Sequence, residues 1–262
     1  RTALILDVFA KHATTREGRL QVELAQSEYL LPRLAGQWSH LERLGGGIGT
    51  RGPGETQTET DRRLVTRRIN NLRSELEKVR VQRARYRDRR HKSGLPTVSL
   101  VGYTNAGKSS LLKILADDSI VARNQLFSTL DPVTRRVRLP SGINILVTDT
   151  VGFIRKLPPS LIAAFRATLE EVTDANLIAH VLDISHRNAP EHVDVVQSIL
   201  KDLNADLKPQ LLILNKSDLV GTNGLPEIPQ HMGTSPSLFT STATGAGIPE
   251  LLDLLDSLFA SR

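Results

Sequence analysis

The sequence predicts a chain in two parts: an α-helical hairpin followed by a long coiled-coil-like helix over residues 1–96, and an α/β fold with a doubly wound, mostly parallel sheet over residues 97–262. Three observations lead there. Apolar residues recur at helical spacing through the first third, and from Thr97 onward short β-rich runs alternate with helical ones. Charge is also divided unevenly: residues 1–96 hold 20 Lys and Arg against 11 Asp and Glu, and residues 97–262 hold 14 against 17. Two units with different partners follow from that asymmetry.

Composition excludes several classes. With 39% hydrophobic and 24% charged residues the chain is ordinary globular material. No apolar run approaches the ~18 residues that span a bilayer, so an integral membrane segment is not expected. Cysteine is absent, which removes disulfide frameworks, thiolate metal sites and cysteine nucleophiles and fits a reducing compartment. A cytoplasmic monomer is the expectation. The first residue is Arg1, not Met, so the chain reads as a fragment or processed product, and an organellar address upstream stays open.

In order along the chain, RTALILDVFAKHA (1–13) clusters Leu4, Ile5, Val8 and Phe9, and a second helical pattern runs from about Leu20 to Leu31, where Pro32 is expected to interrupt it. TTREG between them reads as a turn, giving an antiparallel hairpin. GGGIGTRGPGETQTE (45–59) is too rich in glycine for regular structure and is predicted to be a loop. Val65, Ile69, Leu72, Leu76 and Val79 then form the seam of a long helix packed on the hairpin. That helix is strongly basic: residues 62–92 carry 13 Lys and Arg against 3 Asp and Glu, a density that usually serves a polyanion. Ser93, Gly94 and Pro96 end it. In the second part the predicted order is the strand TVSLVG, a helix after Gly107, strands VRLP and INILVT, a helix near 160–172, strand LIAHVLD, a helix near 190–202, strands LLILN and SLFTS, and a final helix from Ile248.

The chemistry sits at the strand ends. GYTNAGKS (Gly102, Tyr103, Thr104, Asn105, Ala106, Gly107, Lys108, Ser109), with Ser110 following, satisfies G-x-x-x-x-G-K-[ST] between a strand and a helix. Glycines there let backbone N–H groups turn around phosphate oxygens at a helix N-terminus whose dipole favours anions. Lys108 would neutralise the β and γ phosphates, and Ser109 would ligate Mg2+. The second motif, NKSD (Asn215, Lys216, Ser217, Asp218), follows the strand LLIL. A carboxylate at Asp218 can accept two hydrogen bonds from guanine N1–H and the 2-amino group, which adenine cannot offer. That selects guanine and argues against a nucleoside-phosphate kinase or ATPase. Asn215 and Lys216 would brace the base loop, the lysine stem lying over the purine. DTVG (Asp149, Thr150, Val151, Gly152) ends INILVT, where Asp149 can reach magnesium through water and Gly152 can offer its N–H to the γ phosphate. FSTLD (Phe127, Ser128, Thr129, Leu130, Asp131) offers Thr129 as the threonine that coordinates magnesium when a γ phosphate is present, with a plain loop threonine as the rival. Ser241 and Thr242 of STATG follow the last strand, where backbone groups reach guanine O6. Lys108, Thr129 and Gly152 are thus the candidate catalytic residues, and Ser109, Thr129 and Asp149 the candidate metal ligands.

Beyond these motifs, FSTLDPVTRR, DTVGFIRKLP, LIAAFRATLEEV and GGGIGTRGPGETQTETDRR resemble the HflX family of translational GTPases over essentially the whole chain. The resemblance implies a P-loop GTPase domain that turns GTP into GDP and phosphate with Mg2+. It also implies binding to the large ribosomal subunit and its RNA, in ribosome splitting or rescue, and a start inside the family's N-terminal domain without its earlier α/β part. Two departures stand out: Thr242, where the family more often has Ala, and the helix-poor stretch 221–237. The residue after DTVG is Phe153, where Ras-like GTPases place the glutamine that orients the attacking water, so slow intrinsic hydrolysis is expected. Asn105 matches an asparagine that helps hold K+ in related potassium-activated GTPases; a turn-stabilising role is the alternative.

RNA contacts are expected from Arg51 in the glycine-rich loop, where a flexible hinge is the alternative, and from Arg83, Arg85, Arg87, Arg89 and Arg90 on the basic helix, where a merely solvated face is. A GTP-gated module that holds RNA or an anionic membrane surface, with incidental hydrolysis, is the competing function. GIGTRG (47–52) matches G-x-G-x-x-G, but no strand precedes it and Pro53 follows, so a dinucleotide site is rejected. The seven histidines lack metal-ligand spacing and read as structural or surface groups, and Trp38 as packing.

Overall fold

The structure, a computed structural model, describes residues 2–44, 53–92, 94–116, 132–154, 166–220 and 235–260; the side chains of 34–44, 53–58, 84, 86–92 and 166–168 are outside that description. The described residues fall into a helical unit up to Asp88 and a sheet unit from Arg89 onward. This division lies inside a helix, eight residues before the boundary expected at Pro96.

The helical unit contains α1 (Thr2–His12), α2 (Arg16–Leu44) and α3 (Pro53–Lys92). Thr15 caps α2, its hydroxyl accepting from the Gly18 N–H at 3.0 Å. On α1 the buried side chains are Ile5, Leu6 and Phe9, whereas Leu4 is 68% exposed, so the apolar face is turned from the expected one by one residue. Leu24 of α2 packs with Ile69 and Leu72 of α3, and Leu20, Leu31, Val65 and Leu76 close around them, the expected seam.

Two proline expectations are corrected. Pro32 lies inside α2, which continues to Leu44. A helix proline removes one N–H, here the one that would reach the Glu28 carbonyl, and crowds the preceding turn; in that turn the Arg33 guanidinium donates to the Tyr29 carbonyl at 2.6 Å and lies over the Tyr29 ring. Residues 53–59, expected in a loop, form the start of α3. Pro53 suits a first helical position, where its missing N–H costs nothing and its φ is already set. Residues 45–52 lie outside the described residues.

The sheet unit runs β1 (Thr97–Val101), α4 (Lys108–Leu115), β2 (Val133–Arg138), β3 (Asn144–Asp149), α5 (Arg166–Thr173), β4 (Leu177–Asp183), α6 (Ala189–Asp202), β5 (Gln210–Asn215), β6 (Ser237–Phe239) and α7 (Ile248–Ala260). Strand order is β2-β3-β1-β4-β5-β6, parallel except where β2 meets β3. That antiparallel pair is joined by a tight turn in which Leu139 N–H donates to Ile143 O at 2.8 Å, with Gly142 at φ +91°.

One face of the sheet buries Val98, Leu100, Ala179, Val181 and Ile213 against Leu111, Leu112, Leu251 and Leu255 of α4 and α7. The other buries Val101 and Ile178 against Val172, Val196 and Leu200 of α5 and α6. Chain connections diverge at β1, which lies between β3 and β4, so the carboxyl ends of β1, β3, β4 and β5 gather at one edge, the place where doubly wound sheets hold ligands.

Candidate nucleotide site

The phosphate loop turns from β1 into α4. Gly107 sits at φ +99°, and a Cβ there would lie 2.2 Å from Asn215 Nδ2, so both conformation and space demand glycine. Asn105 is exposed at φ +62°, a left-handed conformation that asparagine tolerates; this gives the residue a turn role without reference to any cation. Lys108 is 5% exposed, and its ammonium donates to the Gly102 and Tyr103 carbonyls at 3.2 and 3.1 Å. Burial pulls its pKa from 10.5 down to about 8, with the Asp149 carboxylate opposing the shift.

Asp149 is buried at the end of β3, and its Oδ2 accepts from the Ser109 hydroxyl at 2.6 Å. Two hard oxygen donors at a helix N-terminus fit magnesium, which takes one or two protein oxygens and completes its shell with phosphate and water. Among the described residues no three His, Cys, Asp or Glu side chains cluster as metal ligands. Thr150 donates through its hydroxyl to Leu100 O at 2.7 Å, and Val151 and Gly152 are buried. A Cβ on Gly152 would meet Thr104 Cα at 2.7 Å. Phe153 N–H donates to Gly102 O at 3.0 Å and Thr104 N–H to Phe153 O at 2.9 Å, so DTVG is bridged to the phosphate loop. The Phe153 ring is fully buried among Val101, Leu169 and Val172.

The base loop is tied to the same scaffold. Asn215, fully buried, donates to Ala106 O at 2.8 Å and accepts from Thr242 N–H at 3.2 Å and Thr240 Oγ1 at 3.3 Å. Lys216 takes φ +63°. Ser217 opens a single 3-10 turn, Ser217–Leu219. Asp218 Oδ1 accepts from the Ser241 hydroxyl, which itself accepts the N–H groups of Ala243 and Thr244 at 3.3 and 3.2 Å. Motifs about a hundred residues apart are thereby brought to one edge. Phe127, Ser128, Thr129, Leu130 and Asp131 lie outside the described residues.

Sequence reasoning missed three things here. Asp183, ending β4, forms an ion pair with Lys216 at 2.7 Å; its only signal was its place at the carboxyl end of a buried strand. The Tyr103 ring stacks on His192 of α6 with centroids 3.8 Å apart, and His186 lies 4.5 Å beyond. Burial foremost, then His186, holds the His192 pKa below its ordinary value, with Asp183 and Glu191 opposing. His180 of β4 is wholly buried with neither ring nitrogen hydrogen-bonded, and burial, helped by Lys108, pushes its pKa down to about 3, keeping the ring neutral.

On the helical unit, local charge counting also misleads. Arg68 pairs with Glu23, Arg73 with Glu28 at 2.7 Å, Arg16 with Glu75 at 2.7 Å, and Arg83 with the nearly buried Glu17 at 2.7 Å. Arg83 is thus engaged within the unit, while Arg85 is exposed. Arg51 and the side chains of Arg87, Arg89, Arg90 and Trp38 are outside the described residues.

Known proteins share both parts. A family model described as GTP-binding GTPase Middle Region matches residues 12–90, and one described as 50S ribosome-binding GTPase matches 97–216. The chain is 48% identical over 256 residues to GTPase HflX of Escherichia coli (strain K12), covering 97% of this chain and 60% of that protein. Against GTPase HflX of Alkalihalophilus pseudofirmus it is 56% identical over 218 residues, covering 83% and 52%. A crystal structure of a GTP-binding protein from the hyperthermophilic archaeon Sulfolobus solfataricus in complex with GDP superposes with a TM-score of 0.60 at 25% identity, over 98% of this chain and 71% of that one. The chain spans roughly half to three fifths of the curated relatives it matches.

Proposed function

From the premise that the chain belongs to the HflX family of GTPases, we propose that it binds GTP, hydrolyses it to GDP and phosphate, and docks on the large ribosomal subunit through its basic helix, in ribosome splitting or rescue. The observation that carries the reading is the junction of Asn215 with Ala106, which holds a guanine-reading loop against a phosphate loop.

In this reading the triphosphate lies along the backbone N–H groups of residues 104–110 at the α4 N-terminus, where the helix dipole and Lys108 offset its charge. Ser109, Asp149 and Thr129 would hold Mg2+, which when bound neutralises charge developing on the phosphate oxygens. Gly152 N–H meets the γ phosphate, and Asp218 reads guanine while Ser241 orients its carboxylate. Asn105 offers an oxygen toward K+. The side chain of Phe153 carries no group able to orient water and is locked in the core. The missing element must be supplied or positioned by the docked partner.

The phosphate-contacting surface is narrower than the charge count implies, since several arginines of α3 are engaged with α2 carboxylates. The proposed RNA contacts are Arg51, Arg85, Arg87, Arg89 and Arg90, with Arg83 joining them only where it exchanges Glu17 for a phosphate. The domain limits 1–96 and 97–262 follow from this division of labour.

The deciding experiment is GTP turnover by the chain with and without large ribosomal subunits. The isolated chain is expected at or below the roughly 10⁻⁴ per second scale of unassisted Ras, and subunits are expected to raise the rate at least ~10-fold. A fast basal rate that subunits leave unchanged would refute both the missing-group argument and the ribosomal assignment.

A further inference from the structure

We propose that Asp183 is a positioning residue for guanine-nucleotide binding, acting through Lys216. The inference rests on the guanine reading above.

Asp183 closes β4 directly opposite Asn215 at the end of β5, and the strands stay joined beyond them by Ile184 N–H donating to Asn215 O at 3.1 Å. Its carboxylate is held at both oxygens. Oδ1 accepts from the Ser185 N–H at 3.0 Å and the Ser185 hydroxyl at 2.6 Å, and Oδ2 meets Lys216 Nζ at 2.7 Å. Both partners are mostly buried, with side chains 14% and 22% exposed, so the pair is less screened than a surface contact.

Lys216 needs such an anchor. It occupies φ +63°, ψ +37°, a conformation that non-glycine residues keep only when their surroundings over-determine it. Its stem carries the large rotamer freedom of a free lysine. With Cα fixed by the 3-10 turn and Nζ fixed by Asp183, the four-carbon stem is held at both ends. It offers the purine a preformed apolar edge beside Asp218, and ordering of the stem is done before the nucleotide arrives. Asp183 touches neither base nor phosphate in this account.

The test is a double-mutant cycle on the full chain, read by GDP affinity and release rate with a fluorescent GDP, alongside thermal melting without nucleotide. Asp183→Asn keeps an acceptor for Ser185 and removes the charge. It is expected to raise the GDP Kd at least ~10-fold, mainly through faster release, while leaving turnover at saturating GTP within about twofold. In a Lys216→Met background the same change is expected to add less than a further twofold. Asp183→Glu, which keeps the charge, is expected to hold GDP within about threefold of the parent, and it carries the test if the Asn variant does not fold. Unchanged affinity in Asp183→Asn, an equal loss in both backgrounds, or a Glu variant as weak as ~10-fold would overturn the proposal. A parent chain that binds no guanine nucleotide would instead remove the guanine reading, and this inference with it.

Discussion

Lys108 is expected to make nucleotide binding pH-dependent in a range where lysines ordinarily are not. Burial holds its pKa near 8, far below the usual 10.5. A bound phosphate favours the ammonium and returns the pKa upward, so above about pH 8 binding must take up a proton. The sign follows: the Kd for GDP rises with pH through the free-state value. For a pKa of about 8 the factor between about pH 7 and about pH 8.5 is ~4-fold, and this window stays below the ionisation of guanine N1. The same depression makes the nucleotide-free fold gain stability as pH rises from about 8 toward 10.5, because there the unfolded chain binds more protons. The assay is GDP titration at constant ionic strength across the window, repeated with Lys108→Arg, whose guanidinium stays charged throughout. A flat wild-type profile, or an equal slope in the arginine variant, would refute the argument.

Four further outcomes are expected. Asp218→Asn should weaken GTP and improve xanthine nucleotide binding, measured by competition, because the amide presents a donor to guanine N1–H yet can pair with a xanthine carbonyl. Replacing K+ by Na+ should slow hydrolysis, and Asn105→Ala should abolish the difference; equal rates in both salts would leave Asn105 with only the turn role its positive φ supplies. Neutralising Arg85, Arg87, Arg89 and Arg90 should lower the log-log salt slope of ribosome binding by roughly 0.7 to 0.9 per lost phosphate contact. Phe153→Gln should fail to accelerate the isolated chain and should destabilise it by roughly 2–4 kcal/mol in denaturant melts, because an amide would replace a fully buried ring.

The fold and the motif positions were legible because each signal was local. TVSLV reads as a buried strand, GYTNAGKS as the turn after it, SLLKILA as the helix, and the structure has all three in order. LLIL and NKSD behave the same way. What was not legible depends on partners distant in sequence. Pro32 breaks a helix on local rules, yet the helical unit carries α2 through it. Arg68, Arg73 and Arg83 of α3 look unpaired because their carboxylates lie about 45 residues or more away on α2. Asp183 gives no sign of its lysine until β4 and β5 are set in register. The Tyr103–His192 stack likewise needs α6 beside the phosphate loop.

That last group explains how the site is held before any ligand is present. The phosphate loop is fastened at three places by groups that do not contact phosphate: the bridge to Phe153, the Asn215 bond to Ala106, and the stack of Tyr103 on His192. The fasteners come from three different elements, the segment after β3, the end of β5 and helix α6, so the loop's shape depends on the register of β3 and β5 with their neighbours and on the packing of α6. The fastening to Phe153 has a kinetic consequence. In Ras-like enzymes the position after D-x-x-G carries the water-orienting side chain, and that side chain must face the γ phosphate. Here the same position is spent on core packing and on two backbone hydrogen bonds to the loop. Rigidity at the phosphate site and self-sufficient hydrolysis compete for one residue, and this chain gives the residue to rigidity. The proposal that a docked partner controls turnover follows from that choice.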